Sequence, residues 1–121
     1  MMNTKAIGDK GETIAVNYLT NAGYVILERN YRCRMGEIDI IARFGDVLAF
    51  IEVKTRRTDR FGRPAMAVDY RKQQKIVKTS RFYLQYKGLE GCHCRFDVLE
   101  VLGSIGGAWS INHIKNAFEA G

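Results

Sequence analysis

Several things that would mark a specialised chain are scarce in this sequence. It has a single proline, Pro64, and three cysteines, Cys33, Cys92 and Cys94. A small, odd number of cysteines in a chain with no export signal excludes a disulfide framework and predicts free thiols. No apolar run approaches the ~18 residues that a membrane span requires. The opening MMNTKAIGDKGET lacks the apolar segment of a secretory signal. The expected location is therefore cytoplasmic, with no membrane partner. Low-complexity tracts, internal repeats and long linkers are absent, and GSIGG at 103–107 reads as a loop rather than a boundary. A single domain over residues 1–121 follows. A chain of this size buries roughly two thirds of its unfolded surface, enough for a core without disulfides or a structural metal.

Acidic residues are scarce in one stretch. From Lys54 to Arg81, ten basic residues face only Asp59 and Asp69, leaving +8 against a whole-chain charge of +6. The basic residues are Lys54, Arg56, Arg57, Arg60, Arg63, Arg71, Lys72, Lys75, Lys78 and Arg81. Such a segment suits an acidic partner, nucleic acid first among them, and equally describes a solvated helix face with an exposed loop.

Ile14, Ala15, Tyr18, Leu19 and Ala22 recur at helical spacing before Gly23, giving a helix over about 9–22. Tyr24–Arg29 reads as a strand and Asn30–Met35 as irregular. An apolar hairpin follows over about 36–57, then an exposed loop, Thr58–Ala65. A second helix spans about 69–86 with Asp69 as N-cap and Tyr70, Val77 and Leu84 along its apolar side. Strands follow at His93–Leu102 and Trp109–Ile114. The order α-β-β-β-α-β-β gives a central mixed sheet flanked by helices, an α/β or α+β domain.

The hairpin, GEIDIIARFGDVLAFIEVKTR, carries Asp39, Glu52 and Lys54 inside apolar runs. Gly45-Asp46 suits a two-residue type II′ turn, whose first position needs positive φ. Phe44 then faces Val47, and facing residues have numbers that sum to 91. Asp39 faces Glu52 and Glu37 faces Lys54, with Ile38, Ile40, Ile51 and Val53 on the opposite face. Directly opposed side chains lie about 4.5–5.5 Å apart at Cβ, and like charges there are destabilising. Opposed carboxylates become tolerable beside water or a cation, and hard oxygen donors suit Mg²⁺. Lys54 would sit beside such an ion, able to stabilise charge developing on phosphorus. Glu12 lies on the inward stripe of the first helix and needs a partner: the metal site, Lys54 or a backbone amide. Gly8 and Gly11 would let that helix end approach the sheet. The alternative is a lattice of cross-strand ion pairs, Glu37 with Lys54 above all, on a solvated face.

Cys92-His93-Cys94 lacks the spacing of a zinc site and reads as free thiols. Asp97 reads as the structural partner of a neighbouring cation and His113 as a surface residue at a strand end. Among the aromatics, Phe61, in the basic loop, is the candidate for stacking on a base.

Asp39, then Glu52-Val53-Lys54 after a hairpin, with a glutamate on the preceding helix, resemble the PD-(D/E)xK nuclease superfamily. The sequence is more closely similar to archaeal Holliday-junction resolvases and to the bacterial YraN-like family. The YraN-like likeness covers nearly the whole chain: Gly8, Gly11-Glu12, Arg29-Asn30, Gly36-Glu37-Ile38-Asp39, Glu52-Val53-Lys54, Phe61-Gly62 with Pro64, Arg95-Phe96-Asp97-Val98 and Asn116-Ala117-Phe118. Ile38 stands where the superfamily's proline would be. The resemblance implies a restriction-endonuclease-like fold and a metal-dependent endonuclease acting on structured or branched DNA. It implies Asp39, Glu52 and the Val53 carbonyl as ligands of Mg²⁺, with Mn²⁺ able to substitute. Lys54 would orient the attacking water, and Glu12 would hold a second ion or a metal-bound water. It implies Gln73 as a polar helper from the second helix, and a homodimer by analogy. The basic residues Arg56, Arg57, Arg60, Arg63, Arg71, Lys72, Lys75 and Lys78 would then hold the phosphate backbone. Two rivals remain: a nucleic-acid-binding module that does not cut, and a protein-interaction domain.

Overall fold

The computed structural model describes residues 4–57, 68–103 and 107–120, without the side chains of residues 4–7 and 57. The elements come in the expected order: α1 (Thr4–Asn21), β1 (Val25–Cys33), β2 (Gly36–Phe44), β3 (Val47–Arg57), α2 (Tyr70–Lys87), β4 (His93–Gly103) and β5 (Trp109–Phe118). The basic loop with Arg60, Phe61 and Arg63 lies outside the described residues.

The strands form one mixed sheet in the order β1-β2-β3-β4-β5. Neighbours pair antiparallel except β3 and β4, which are parallel. A parallel pair needs a long crossover, and α2 lies within that connection. Strand alternation sorts the apolar residues into two layers. Ala49 and Ile51 pack with Ile40, Ala42, Leu99 and Val101 under Ala15 and Leu19 of α1. Leu48 and Phe50 pack with Phe96 and Val98 under Ile76, Val77 and Tyr83 of α2.

Local signals set the helix ends. Gly23 takes φ 98° after α1, and Tyr24 N–H donates to Leu19 O at 2.9 Å. The Asp69 carboxylate accepts from Lys72 N–H at 2.8 Å, the expected N-cap. Gly88 closes α2 in the left-handed conformation. Tyr70, expected on the apolar side, is 72% exposed. Val77 is buried as expected, together with Ile76, Thr79, Ser80 and Tyr83, so the buried stripe begins beyond the first turn of the helix.

Two strands outrun their expected limits. β1 continues through Cys33, across Asn30 at φ 52°. β5 continues to Phe118, across Asn116 at φ 54°. In both, one asparagine in left-handed geometry breaks the alternation without ending the strand.

Candidate active site

The site begins at the hairpin turn. Gly45 has φ 59°, and among the described non-glycine residues only Asn30 and Asn116 have positive φ, as type II′ requires of Gly45-Asp46. The pairs Phe44–Val47 through Ile40–Ile51 follow the register that this turn dictates. The ladder ends at Ile40–Ile51. Beyond it β2 stays with β1, and the Asp39 carboxylate enters the gap, where its Oδ2 accepts from Val53 N–H at 2.8 Å. A side-chain oxygen replaces the missing backbone acceptor, which keeps a strand amide satisfied as the strands separate.

The separation changes part of the expected patch. Glu37 turns to Arg32, at 3.8 Å on the surface, and Lys54 lies 4.0 Å from Glu52, so the Glu37–Lys54 pair is not formed. Ile38 joins the α2-side core while Ile40 joins the α1-side core, so the two do not share a face. The cause sits on β1. Arg29 pairs with Ile40 and Tyr31 with Ile38, which leaves Asn30 level with Asp39. Positive φ at Asn30 reverses the faces of β1 there, and β2 follows.

Asn30 and Arg29 also supply the partner that Glu12 needs. Glu12 Oε1 accepts from Asn30 Nδ2 at 2.9 Å and from Arg29 Nη2 at 3.2 Å. The helix comes this close because Gly11 packs on Thr55, where any Cβ would collide with the threonine side chain. Gly8 faces open space and plays no such part.

Glu52 is 7% exposed, and its Oε2 lies 3.2 Å from Lys72 Nζ. Burial and the Glu52 carboxylate push Asp39 up to about 7, with Glu12 adding to them. The Val53 amide and Lys72 pull the other way. Burial opposes the charge on Lys72, yet Glu52, Asp39 and Glu37 together raise its pKa. Buried Glu52 and half-buried Asp39 thus stand together beside Lys72, with Lys54 4.0 Å from the same Glu52 oxygen.

The second helix contributes Lys72 rather than Gln73. The Gln73 amide donates to Val68 O at 2.8 Å and braces the entry to α2. Sequence alone groups Lys72 with the phosphate-binding residues, because it does not reveal that the first turn of α2 overhangs the strand separation. Of the other basic residues, Arg56, Arg71, Lys75 and Lys78 are exposed. A cleft of about 340 Å³ runs beside Lys72, lined by Arg32, Cys33, Gly36, Glu37, Lys75 and Ile76.

A further carboxylate escapes sequence reasoning. Glu100 on β4 is 1% exposed, and its Oε1 accepts from Asn112 Nδ2 at 2.7 Å. It pairs in register with Lys54. Its place in an apolar strand, DVLEVL, resembles that of Glu52 and is the signal that could have found it.

Asp97 behaves as expected. Arg95 grips it bidentately at 2.9 Å, while His113 Nε2 lies 2.7 Å away and Asn116 N–H donates at 3.0 Å. Burial favours the protonated acid, but these hydrogen bonds outweigh it and lower the pKa. His113 is not on the surface: its side chain is 4% exposed and also meets Tyr18 OH through Nδ1 at 3.2 Å. The network ties β5 to β4. Cys92 and Cys94 are exposed free thiols and Cys33 is half-buried. Among the described residues, no helix is long and apolar enough to cross a membrane.

A mixed five-stranded sheet with one helix on each face and a carboxylate–lysine cluster where two strands part defines the class. The chain belongs to uncharacterised protein family UPF0102, whose model matches residues 11–101. It is 50% identical over 117 residues to a UPF0102 protein of Clostridium botulinum, covering 95% of each chain. It is 54% identical over 112 residues to one from Syntrophus aciditrophicus, covering 93% of this chain and 87% of that protein. Among solved structures it is similar to Hjc, a Holliday junction resolvase from Archaeoglobus fulgidus. The TM-score is 0.45 at 18% identity, over 86% of this chain and 74% of that one.

Proposed function

We propose that this chain is a divalent-cation-dependent endonuclease hydrolysing phosphodiester bonds in structured or branched DNA. The observation that carries the reading is the meeting of Asp39 and Glu52 where β2 leaves β3, with Lys54 two residues beyond Glu52 on the same face of the strand. Among the described residues, no three His, Cys, Asp or Glu side chains stand close enough to hold a metal unaided. The donors nonetheless fit a hard cation: two poorly solvated carboxylates repel each other, and Lys72 is the counter-charge that one of them has found. Asp39 and Glu52 would hold Mg²⁺, or Mn²⁺ in its place, with the Val53 carbonyl as a third protein ligand, and Glu12 would hold a second ion or a metal-bound water. When bound, the ion would lower the pKa of water and polarise the scissile phosphate.

The chain's own groups do the rest. Asp39 fixes the Val53 peptide, and with it the position of both flanking side chains. Lys54 orients the attacking water and steadies negative charge on phosphorus. Arg29 and Asn30 hold Glu12 toward the site. Lys72, Lys75 and Arg32 line a cleft suited to the phosphates beyond the scissile one, with Arg56, Arg71 and Lys78 adding charge nearby. Two-fold substrates of this kind suit a homodimer.

One observation favours a second reading. Lys72 already neutralises Glu52, as in a DNA-binding module that holds a phosphate and does not cut. A panel of DNA and RNA structures, incubated with Mg²⁺ or Mn²⁺ and assayed for nicking, separates the two. The nuclease reading expects cleavage of branched DNA, lost in Asp39→Ala and Glu52→Ala, and lost in Lys54→Ala with DNA binding retained. Binding without nicking of any structure would leave the binding module.

A further inference from the structure

Glu100 is half satisfied. Asn112, its register partner on β5, donates to Oε1, while Oε2 is inaccessible to solvent and has no hydrogen-bond partner among the described residues. A buried carboxylate with an orphan oxygen is costly and calls for an explanation. Its neighbour supplies one. Lys54 and Glu100 are direct partners in the parallel β3–β4 ladder, and paired residues present their side chains on one face. Glu52 lies two residues before Lys54 on that same face.

Lys54 is loosely held. It reaches Glu52 Oε2 only at 4.0 Å, while Lys72 holds the same oxygen at 3.2 Å. Two ammonium groups share one oxygen, and a free carboxylate oxygen stands on the adjacent strand. A divalent cation entering at Glu52 would push Lys54 away from that carboxylate.

We infer that Glu100 Oε2 is the second docking point of the Lys54 ammonium, and that Glu100, oriented by Asn112, is the positioning residue for Lys54. Its consequence for catalysis rests on the nuclease reading above; the contact itself does not. With Glu52 engaged elsewhere, Lys54 bridges to Glu100, and its remaining N–H groups point to the water and the phosphate. Glu100 touches neither.

The test uses the full chain with its lysines reductively ¹³C-methylated, the Lys54 resonance being assigned by its loss in Lys54→Arg. In Glu52→Gln, which removes the first docking point, the Lys54 resonance is expected to shift. That shift should vanish when Glu100→Gln is added. A Lys54 resonance that Glu100→Gln leaves unchanged, in the wild type and in Glu52→Gln alike, overturns the proposal. Glu100→Met covers a folding failure of the glutamine variant. It should be at least as thermostable as the wild type, because an apolar isostere removes an unsatisfied buried group. A large loss of stability would assign the carboxylate to the core and overturn the proposal too. If the wild type cleaves, Glu100→Gln should lower kcat about tenfold to a hundredfold while leaving KM for DNA unchanged. If nothing cleaves but Lys54 responds to Glu100, the docking point stands and the nuclease reading falls.

Discussion

Lys72 Nζ lies 3.2 Å from Glu52 Oε2, so a lysine from the first turn of α2 neutralises a carboxylate set where β2 and β3 part. The ammonium and a bound divalent cation would compete for the same oxygen. Lys72→Gln is therefore expected to bind Mn²⁺ about tenfold more tightly, the effect of ~1.4 kcal/mol. Isothermal titration checks it, and weaker binding in the variant would show that Lys72 supports the ion rather than competing with it.

Asp39 titrates at about 7 because burial and Glu52 oppose its charge. In the unfolded chain an aspartate titrates near ~3.9. The folded state therefore binds the proton more tightly, and stability falls as pH rises between these two values, then levels off. Asp39→Asn keeps an oxygen for Val53 N–H and removes the charge. It should be more stable than the wild type at pH 8, by about 4 kcal/mol, and close to it at about pH 4. Urea unfolding across that range measures the difference. A wild type that gains stability toward pH 8 would contradict the assignment.

Asn30 does two jobs, holding φ 52° and donating to Glu12. Asn30→Gly retains the backbone freedom and loses only the hydrogen bond. Asn30→Ala loses both, and should be less stable than the glycine variant by about 1 kcal/mol. Equal midpoints in denaturant would show that the strand carries no backbone strain there.

Gly11 leaves no room for a Cβ against Thr55. Gly11→Ala should cost about 1–3 kcal/mol by overpacking, despite the better helix propensity of alanine. Thr55→Ala should restore part of the loss. Thermal unfolding of the single and double variants reads the coupling, and simple additivity would argue against the contact.

Much of this is legible in the sequence because it is local. The Gly45-Asp46 turn dictates the register from Phe44 to Ile40, Asp69 marks the start of α2, and a regular strand places Asp97 beside Arg95. The errors share a cause. Asn30 and Asn116 each reverse a strand's faces, and period-two reasoning carries no warning of that. Ile38, Glu37 and the length of β1 are misplaced accordingly. Lys72, Glu100 and His113 depend on which elements meet across the sheet, and side-chain type alone does not reveal it. Gln73 shares its helix face with core residues, yet its amide is taken up by Val68.

The site also assembles across very different chain separations. Asp39 reaches Val53 over 14 residues within one hairpin. Lys72 must arrive from α2, and Glu100 only once the crossover has brought β4 alongside β3. Closing the longer loops costs more chain entropy, so the hairpin is favoured to form first and the parallel strand to dock late. A refolding chain would then pass through a stage in which Asp39 and Glu52 face each other with no counter-charge from α2. Such a stage should be slowed by high pH and relieved by salt, and hydrogen-exchange labelling at Val53 and along β4 would time its two halves.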